Sequence, residues 1–240
     1  MTTADEGALR GRIGLIIPSS NRKVEDEMVR WFPVGVQPHV ARLRMTGVHH
    51  VELEQLTPRV RDAAATLDDA RCDAVVFHCT GTSMTEGSAG EQRLLAALRE
   101  ATSGRVGTTA TAVLRALEAV AVRRLVLITP YTPEATAHEA EFLQAAGFEV
   151  ARWVATDRGG SDGYAATPPS FWFEAVAAAA DPSVDGYFLS CANIACFDQV
   201  EHLEATLGRP VITSNQAVLW WALRALGLPD RPALGRLLQT

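Results

Sequence analysis

The sequence lacks most of the signatures by which cofactor and metal enzymes declare themselves. It has no GxGxxG and no Walker-type phosphate loop, so no nucleotide cofactor is implied. The histidines (His39, His49, His50, His78, His138 and His202) show no ligand-like grouping beyond the His49–His50 pair, and no metal site is expected. Cys72, Cys79, Cys191 and Cys196 form no CxxC and no zinc spacing. In a reducing compartment they are thiols, not a disulfide framework. No apolar run approaches the roughly 18 residues of a membrane span. The opening stretch MTTADEGALR carries no signal-peptide core. The expected location is therefore cytoplasmic, with no membrane partner. A formal net charge of −6 argues against nucleic acid as a partner. An acidic ligand would have to be held by local donors, against the overall field.

What the chain does have is length, a core and a rhythm. Its 240 residues suffice for one large domain or two small ones, and 48% hydrophobic with 21% charged residues is ordinary for a globular protein. Short apolar runs alternate with longer helical patterns. RIGLIIP (12–18), HVARLRM (39–45), DAVVFHC (73–79) and the start of RVGTTATAVLRALEAV (105–120) read as strands. KVEDEMVRWF (23–32), VELEQLTPRVRDAAATLDDA (51–70) and EQRLLAALREAT (91–102) read as helices, with Pro58 interrupting or kinking the second. The same order then begins again at Arg123 and runs to Gly227. Such alternation predicts an α/β fold with mostly parallel sheets flanked by helices.

The two passes align. Pro18 and Pro130, at the ends of LIIP and LITP, are 112 residues apart, and so are Cys79 and Cys191. TATAVLRAL (109–117) resembles SNQAVLWWAL (214–223) at an offset shortened to 105. This reads as an internal duplication, with residues 11–121 plus 216–240 as one half-domain and 122–215 as the other. A single doubly wound sheet with coincidental spacing is the alternative. Ligands of open parallel sheets bind outside the carboxyl ends of the strands, and both Cys79 and Cys191 stand at such ends. Two half-domains facing across a pseudo-two-fold axis would bring both thiols to one ligand.

Each cysteine leads into small polar residues. Thr80, Gly81, Thr82 and Ser83 follow Cys79, and Ala192 and Asn193 follow Cys191. Backbone N–H groups and a helix N-terminus in such turns stabilise a thiolate. The bland alternative is that each is a small buried hydrophobe. Ser19, Ser20 and Asn21 after the first strand, and Tyr131 after its counterpart, bring hydroxyl and amide donors to the same rim; turn and cap chemistry would also use them. Thr213, Ser214 and Asn215 form a third donor cluster. Many neutral donors and few cations suit a carboxylate ligand. His78 adjoins Cys79 but points to the opposite face of its strand, so a dyad is not expected. Cys72 and Cys196 lack this context and read as structural, with a place for Cys196 on the pocket wall as the alternative. The aromatic clusters Phe171–Phe173 and Trp220–Trp221 read as packing.

Together, PSSN with VEDEM, HCTGTS, PYTPE and SCAN resemble the aspartate/glutamate racemase superfamily, in its maleate cis-trans isomerase and arylmalonate decarboxylase branch, over about residues 11–227. The resemblance implies two pseudo-symmetric α/β half-domains with the site at their interface, no cofactor, and a homodimer or higher homo-oligomer. It implies Cys79 as nucleophile and Cys191 as partner acid/base, with Asn21 and Tyr131 binding a carboxylate or an intermediate. The activity implied is cofactor-independent cis-trans isomerisation of a small unsaturated dicarboxylate, maleate to fumarate in type. Two departures keep alternatives open. Arylmalonate decarboxylases have glycine where Cys79 falls, which favours an isomerase or racemase. Maleate isomerases have an asparagine where Ser161 falls, and Gly81–Ser83 resemble the decarboxylase's dioxyanion loop, so a racemase or decarboxylase of a malonate-type acid remains the rival. A small-acid binding protein without turnover is the non-enzymatic alternative.

Overall fold

In a computed structural model of the chain, residues 8–45 and 52–240 are described. The His49–His50 pair therefore lies outside the described residues. Four parallel strands form the first sheet in the order β2-β1-β3-β4: β1 (Gly11–Pro18), β2 (Val36–Leu43), β3 (Ala74–Phe77) and β4 (Arg105–Thr108). The second sheet repeats it as β6-β5-β7-β8: β5 (Arg124–Thr129), β6 (Glu149–Ala155), β7 (Gly186–Leu189) and β8 (Val211–Thr213).

The repeat extends to the hydrogen-bond register. β1 pairs with β3 from Ile13↔Ala74 to Ile16↔Phe77, and β5 with β7 from Leu125↔Gly186 to Ile128↔Leu189, each residue moved by 112. Phe77↔Thr108 becomes Leu189↔Thr213, which carries the shorter offset of 105. Thr108 and Thr213 then cap the helices that follow, α5 (Thr109–Ala119) and α10 (Ser214–Ala225), their hydroxyls accepting from the N–H of Thr111 and Gln216.

Strand alternation divides the core. Ile13, Leu15 and Ile17 of β1, with Val76 of β3, face a central core that also takes Leu125 and Leu127 of β5, Phe188 of β7, and the inner faces of α5 and α10. Ile16, Val75 and Phe77 face outward onto α2 (Leu53–Asp69) and α4 (Gly87–Ala101). Val126, Ile128, Tyr187 and Leu189 face outward onto α8 (Pro169–Ala178) and α9 (Phe197–Leu207). The two sheets thus share one apolar interior. α5 packs on α10 and reaches β8, while α10 reaches back to β3.

Several local expectations shift. Pro58 lies inside the continuous α2, because Leu53, Leu56, Val60, Ala64 and Leu67 bury on both sides of it and hold both turns to one sheet face. β2 begins at Val36, earlier than expected; as an edge strand it tolerates Pro38. KVEDEMVRWF forms only a short α1 (Val24–Met28) and a 3₁₀ turn (Val29–Trp31). TGTSMT, expected as a turn, closes into α3 (Thr80–Thr85), and SDGYAA into α7 (Ser161–Ala166). The remaining helix, α6 (Pro133–Ala145), follows β5 as expected.

Candidate active site

A cavity of about 480 Å³ opens between the carboxyl ends of β1, β3, β5 and β7. Of the residues expected at a site, Asn21, Cys79, Thr80, Gly81, Thr82, Tyr131, Cys191, Ala192 and Asn193 line it. Ser19 and Ser83 do not. Ser19 is exposed, and its hydroxyl accepts from Met45 N–H at 3.3 Å. Ser83 is buried in α3; its hydroxyl donates to Thr80 O at 2.9 Å and accepts from Ala110 N–H at 3.2 Å. Cys72 and Cys196 are buried away from the cavity, and the Phe171–Phe173 and Trp220–Trp221 clusters are likewise absent from its walls.

Cys79, 8% exposed, stands immediately before α3 in extended conformation. Its Sγ donates to Thr82 Oγ1 at 3.1 Å. Burial pushes its pKa up, opposed by the hydroxyl and backbone N–H of Thr82. Cys191, 5% exposed, is held differently. Its φ of +120° is one that non-glycine residues rarely adopt. That conformation is fixed from outside, since its N–H donates to Ser214 Oγ at 3.0 Å and Ser214 Oγ in turn accepts from Thr80 Oγ1 at 2.9 Å. The turn back brings Asn193 N–H to within 3.3 Å of the Cys191 sulfur, and the Tyr131 hydroxyl bonds the same sulfur. Burial pushes the Cys191 pKa up to about 12; the Asn193 and Tyr131 donors oppose it, and a charge on Cys79 would add to it. The pair therefore favours at most one thiolate at a time.

The remaining polar residues knit the two halves together. Asn21 Oδ1 accepts from the N–H of Lys23 and Val24, capping α1, while its Nδ2 donates to Ala192 O at 3.0 Å. Asn193 accepts from Arg22 N–H and donates to Ser161 O. Ser161 Oγ lies 3.1 Å from Ser20 Oγ, and Ser161 does not line the cavity. His78 turns away from Cys79 into the shared core, as strand alternation requires. Its Nδ1 meets Thr109 Oγ1 at 3.0 Å and its Nε2 meets Asn215 Oδ1 at 2.9 Å. Burial lowers its pKa to about 4, so the ring is neutral. Asn215 passes the contact on to Glu27, whose Oε2 accepts at 3.3 Å.

The cavity also holds residues that the motifs do not point to: Met84, His138, Glu139 and Tyr164. Tyr164 meets the Tyr131 ring edge-on at 5.6 Å between centroids. Glu139 is 2% exposed; among the described residues no donor makes a well-formed hydrogen bond to its carboxyl oxygens, and the Ser190 hydroxyl stands beside them. A signal for it existed, since Glu27 and Glu139 stand 112 residues apart. Among the described residues no group of three or more His, Cys, Asp or Glu is placed to hold a metal ion, and no helix is long and apolar enough to cross a membrane.

Known proteins share both the sequence and this architecture. The chain is 30% identical to a maleate isomerase of Pseudomonas putida, over 95% of this chain and 96% of that one. It is 31% identical to an arylmalonate decarboxylase of Bordetella bronchiseptica, over 94% and 95%. A cysteine-to-serine variant of the Nocardia farcinica maleate cis-trans isomerase, solved with a covalently bound succinylcysteine intermediate, superposes with a TM-score of 0.88 at 27% identity, covering 95% of this chain and 98% of that one. The sequence model of the arylmalonate decarboxylase family matches residues 13–238, and the chain belongs to that family.

Proposed function

We propose that the protein is a cofactor-independent cis-trans isomerase of a small unsaturated dicarboxylate, of the maleate-to-fumarate type. The observation that carries this reading is the convergence of Cys79 and Cys191, from equivalent strand ends, on one buried cavity. The reactive form holds one charge on the pair, Cys79 as thiolate and Cys191 as thiol. Cys79 is the better anion site, because Thr82 supplies two donors to its sulfur. The thiolate adds to one alkene carbon. The Cys191 proton passes to the other, leaving a saturated adduct on Cys79 and a thiolate at Cys191. Asn193 N–H and the Tyr131 hydroxyl meet the new charge there. The central carbon–carbon bond, now single, rotates. Cys191 takes a proton back, the carbon–sulfur bond breaks, and the trans product leaves both thiols as they began. The succinylcysteine of the Nocardia relative is an adduct of this kind.

A second reading is proton transfer at the α-carbon of a malonate-type acid, by decarboxylation or racemisation. Ser161 favours it, since its hydroxyl faces Ser20 and brings no donor to the cavity. We also divide the chain into half-domains at 11–121 with 216–240 and 122–215; the packing of α10 on α1, α5 and β3 supports returning the last segment to the first half. Proton NMR of the reduced protein with maleate in deuterated water tests the activity. Appearance of the fumarate singlet supports the isomerase. An unchanged maleate signal, with solvent deuterium entering the α-carbon of a substituted malonate, moves the reading to the second. If neither substrate changes, the site binds small acids without turning them over.

A further inference from the structure

The duplication places a glutamate at the same point of each half, and only one of them is ligated. Glu27 on α1 is bound at both oxygens: Oε1 accepts from the N–H of Cys196 and, at 2.8 Å, of Phe197, and Oε2 accepts from Asn215 Nδ2. The same offsets point Glu139, on α6, to Met84, Thr85 and Ala110. Met84 and Thr85 lie inside α3, where N–H groups point back along the helix, and Ala110 has no side-chain carboxamide to match that of Asn215. Glu139 therefore has none of its twin's partners. The hydroxyl of Ser190, standing where the duplication has His78, is buried beside the Glu139 carboxyl and makes no well-formed hydrogen bond among the described residues. Yet Glu139 lines the cavity shared by the two cysteines.

A dicarboxylate needs two receptors. The Thr82 hydroxyl stands beside Cys79 for one end. For the other end the described residues of the cavity wall include no arginine and no lysine. The carboxamide of Asn193 is tied to Arg22 and Ser161, that of Asn21 caps α1 and holds Ala192, and Ser161 faces Ser20. We propose that the Glu139 carboxyl is the receptor for the second carboxylate of the substrate, donating its acid O–H to one carboxylate oxygen. This rests on the dicarboxylate reading of the site. Such an O–H···O⁻ bond is short and strong. It requires the neutral acid, and burial, opposed only by Ser190, pushes the Glu139 pKa up to about 8. An arriving anion raises it further. The titratable groups that face Glu139 are Tyr131 and Cys191. Of the elements packed on α6, α3 carries no charged residue. On β6, Glu149 pairs with Arg124 and Arg152 is exposed. On α4, Glu91 is held by Thr108 and Thr111, Arg93 by Glu86, and Arg99 and Glu100 are exposed.

The test is calorimetric binding of succinate and of butyrate, matched in length but with one carboxylate, to the reduced wild type, Glu139→Gln and Glu139→Ala at pH 7 and pH 9. The wild type is expected to prefer succinate at least tenfold at pH 7 and to lose that preference at pH 9. Glu139→Gln keeps a neutral donor and should hold the preference at both. Glu139→Ala should lose it at both while binding butyrate as before. Absence of the preference in the wild type, its survival in Glu139→Ala, or an equal loss for both ligands overturns the proposal. Maleate turnover is read separately: a succinate preference without turnover sinks the isomerase reading alone, and turnover with an unaffected Glu139→Ala sinks this inference alone.

Discussion

Helices α1 and α6 follow the first strand of their sheets and carry their glutamates in register, but their surroundings have diverged. Around Glu27 the other half supplies two backbone donors from the start of α9 and a carboxamide from α10. Around Glu139 the corresponding segment has coiled into α3, and its N–H groups are turned elsewhere. The cysteines diverge in the same sense. Cys79 stands in extended backbone at the start of a helix, whereas Cys191 is bent to positive φ and met by a tyrosine and a reversed turn. His78 and Ser190, equivalent by offset, differ likewise: His78 is bonded at both ring nitrogens, and Ser190 has only the Glu139 carboxyl beside it. A symmetric scaffold thus holds an asymmetric site. One half has its glutamate fastened by donors, and the other does not.

The largest contrast should come from the thiols. Cys79→Ser is expected to abolish turnover without any covalent adduct. Cys191→Ser should slow turnover by about 10²–10⁴-fold, the usual range for loss of a positioned acid, and should let a one-substrate adduct accumulate on Cys79. Rapid quench with intact-protein mass spectrometry reads both. Near-full activity in either variant would end the paired-thiol mechanism.

Next comes stability, measured by urea unfolding. Glu27→Ala strands three buried donors and should destabilise by about 3–5 kcal/mol, as breaking a buried polar network does. Glu139→Leu removes a buried carboxyl that no backbone donor holds and should be neutral or stabilising by about 1–3 kcal/mol. Equal losses would mean that Glu139 is as firmly ligated as its twin.

The smallest effect is the pH slope. The folded-state pKa of Glu139, about 8, lies above its ordinary value of 4.5. The native state therefore binds more protons than the unfolded one between those values. That contribution to stability is complete below about pH 4.5 and is lost as pH rises through about 8. Glu139→Gln should flatten the fall in Tm across this window relative to wild type. Glu27, raised to about 7, keeps its share of the slope in both proteins, so the difference isolates Glu139.

Much of this was legible in the sequence, because the repeat is written in residues that define strand ends. Pro18 with Pro130 and Cys79 with Cys191 gave the offset, and the offset gave the paired sheets and the meeting of the thiols. Asn21 and Asn193 were legible as polar residues of the rim. Their commitment to caps and cross-half bonds was not, because it depends on Ala192 O, Arg22 N–H and Ser161 O, which only the fold brings near. Ser19 and Ser83 were donors by type whose direction is set by neighbours distant in sequence, Met45 and Ala110. α3 was hidden because TGTSMT has weak helix propensity and is held in place by tertiary contacts. Glu139 was hidden differently: a glutamate on a helix ordinarily reads as solvent-facing, and only its pairing with Glu27 marked it otherwise.

The interlocking of α5 with α10 across the two sheets also has a temporal side. The inner faces of β3 and α5 are covered by a helix that lies about a hundred residues further along the chain. At ribosomal speeds of about 5–20 residues per second, those faces wait on the order of 5–20 s for α10 to be made. Until then the leading half of the nascent chain carries a bare apolar surface shaped to receive it, and the place where the two thiols meet does not yet exist.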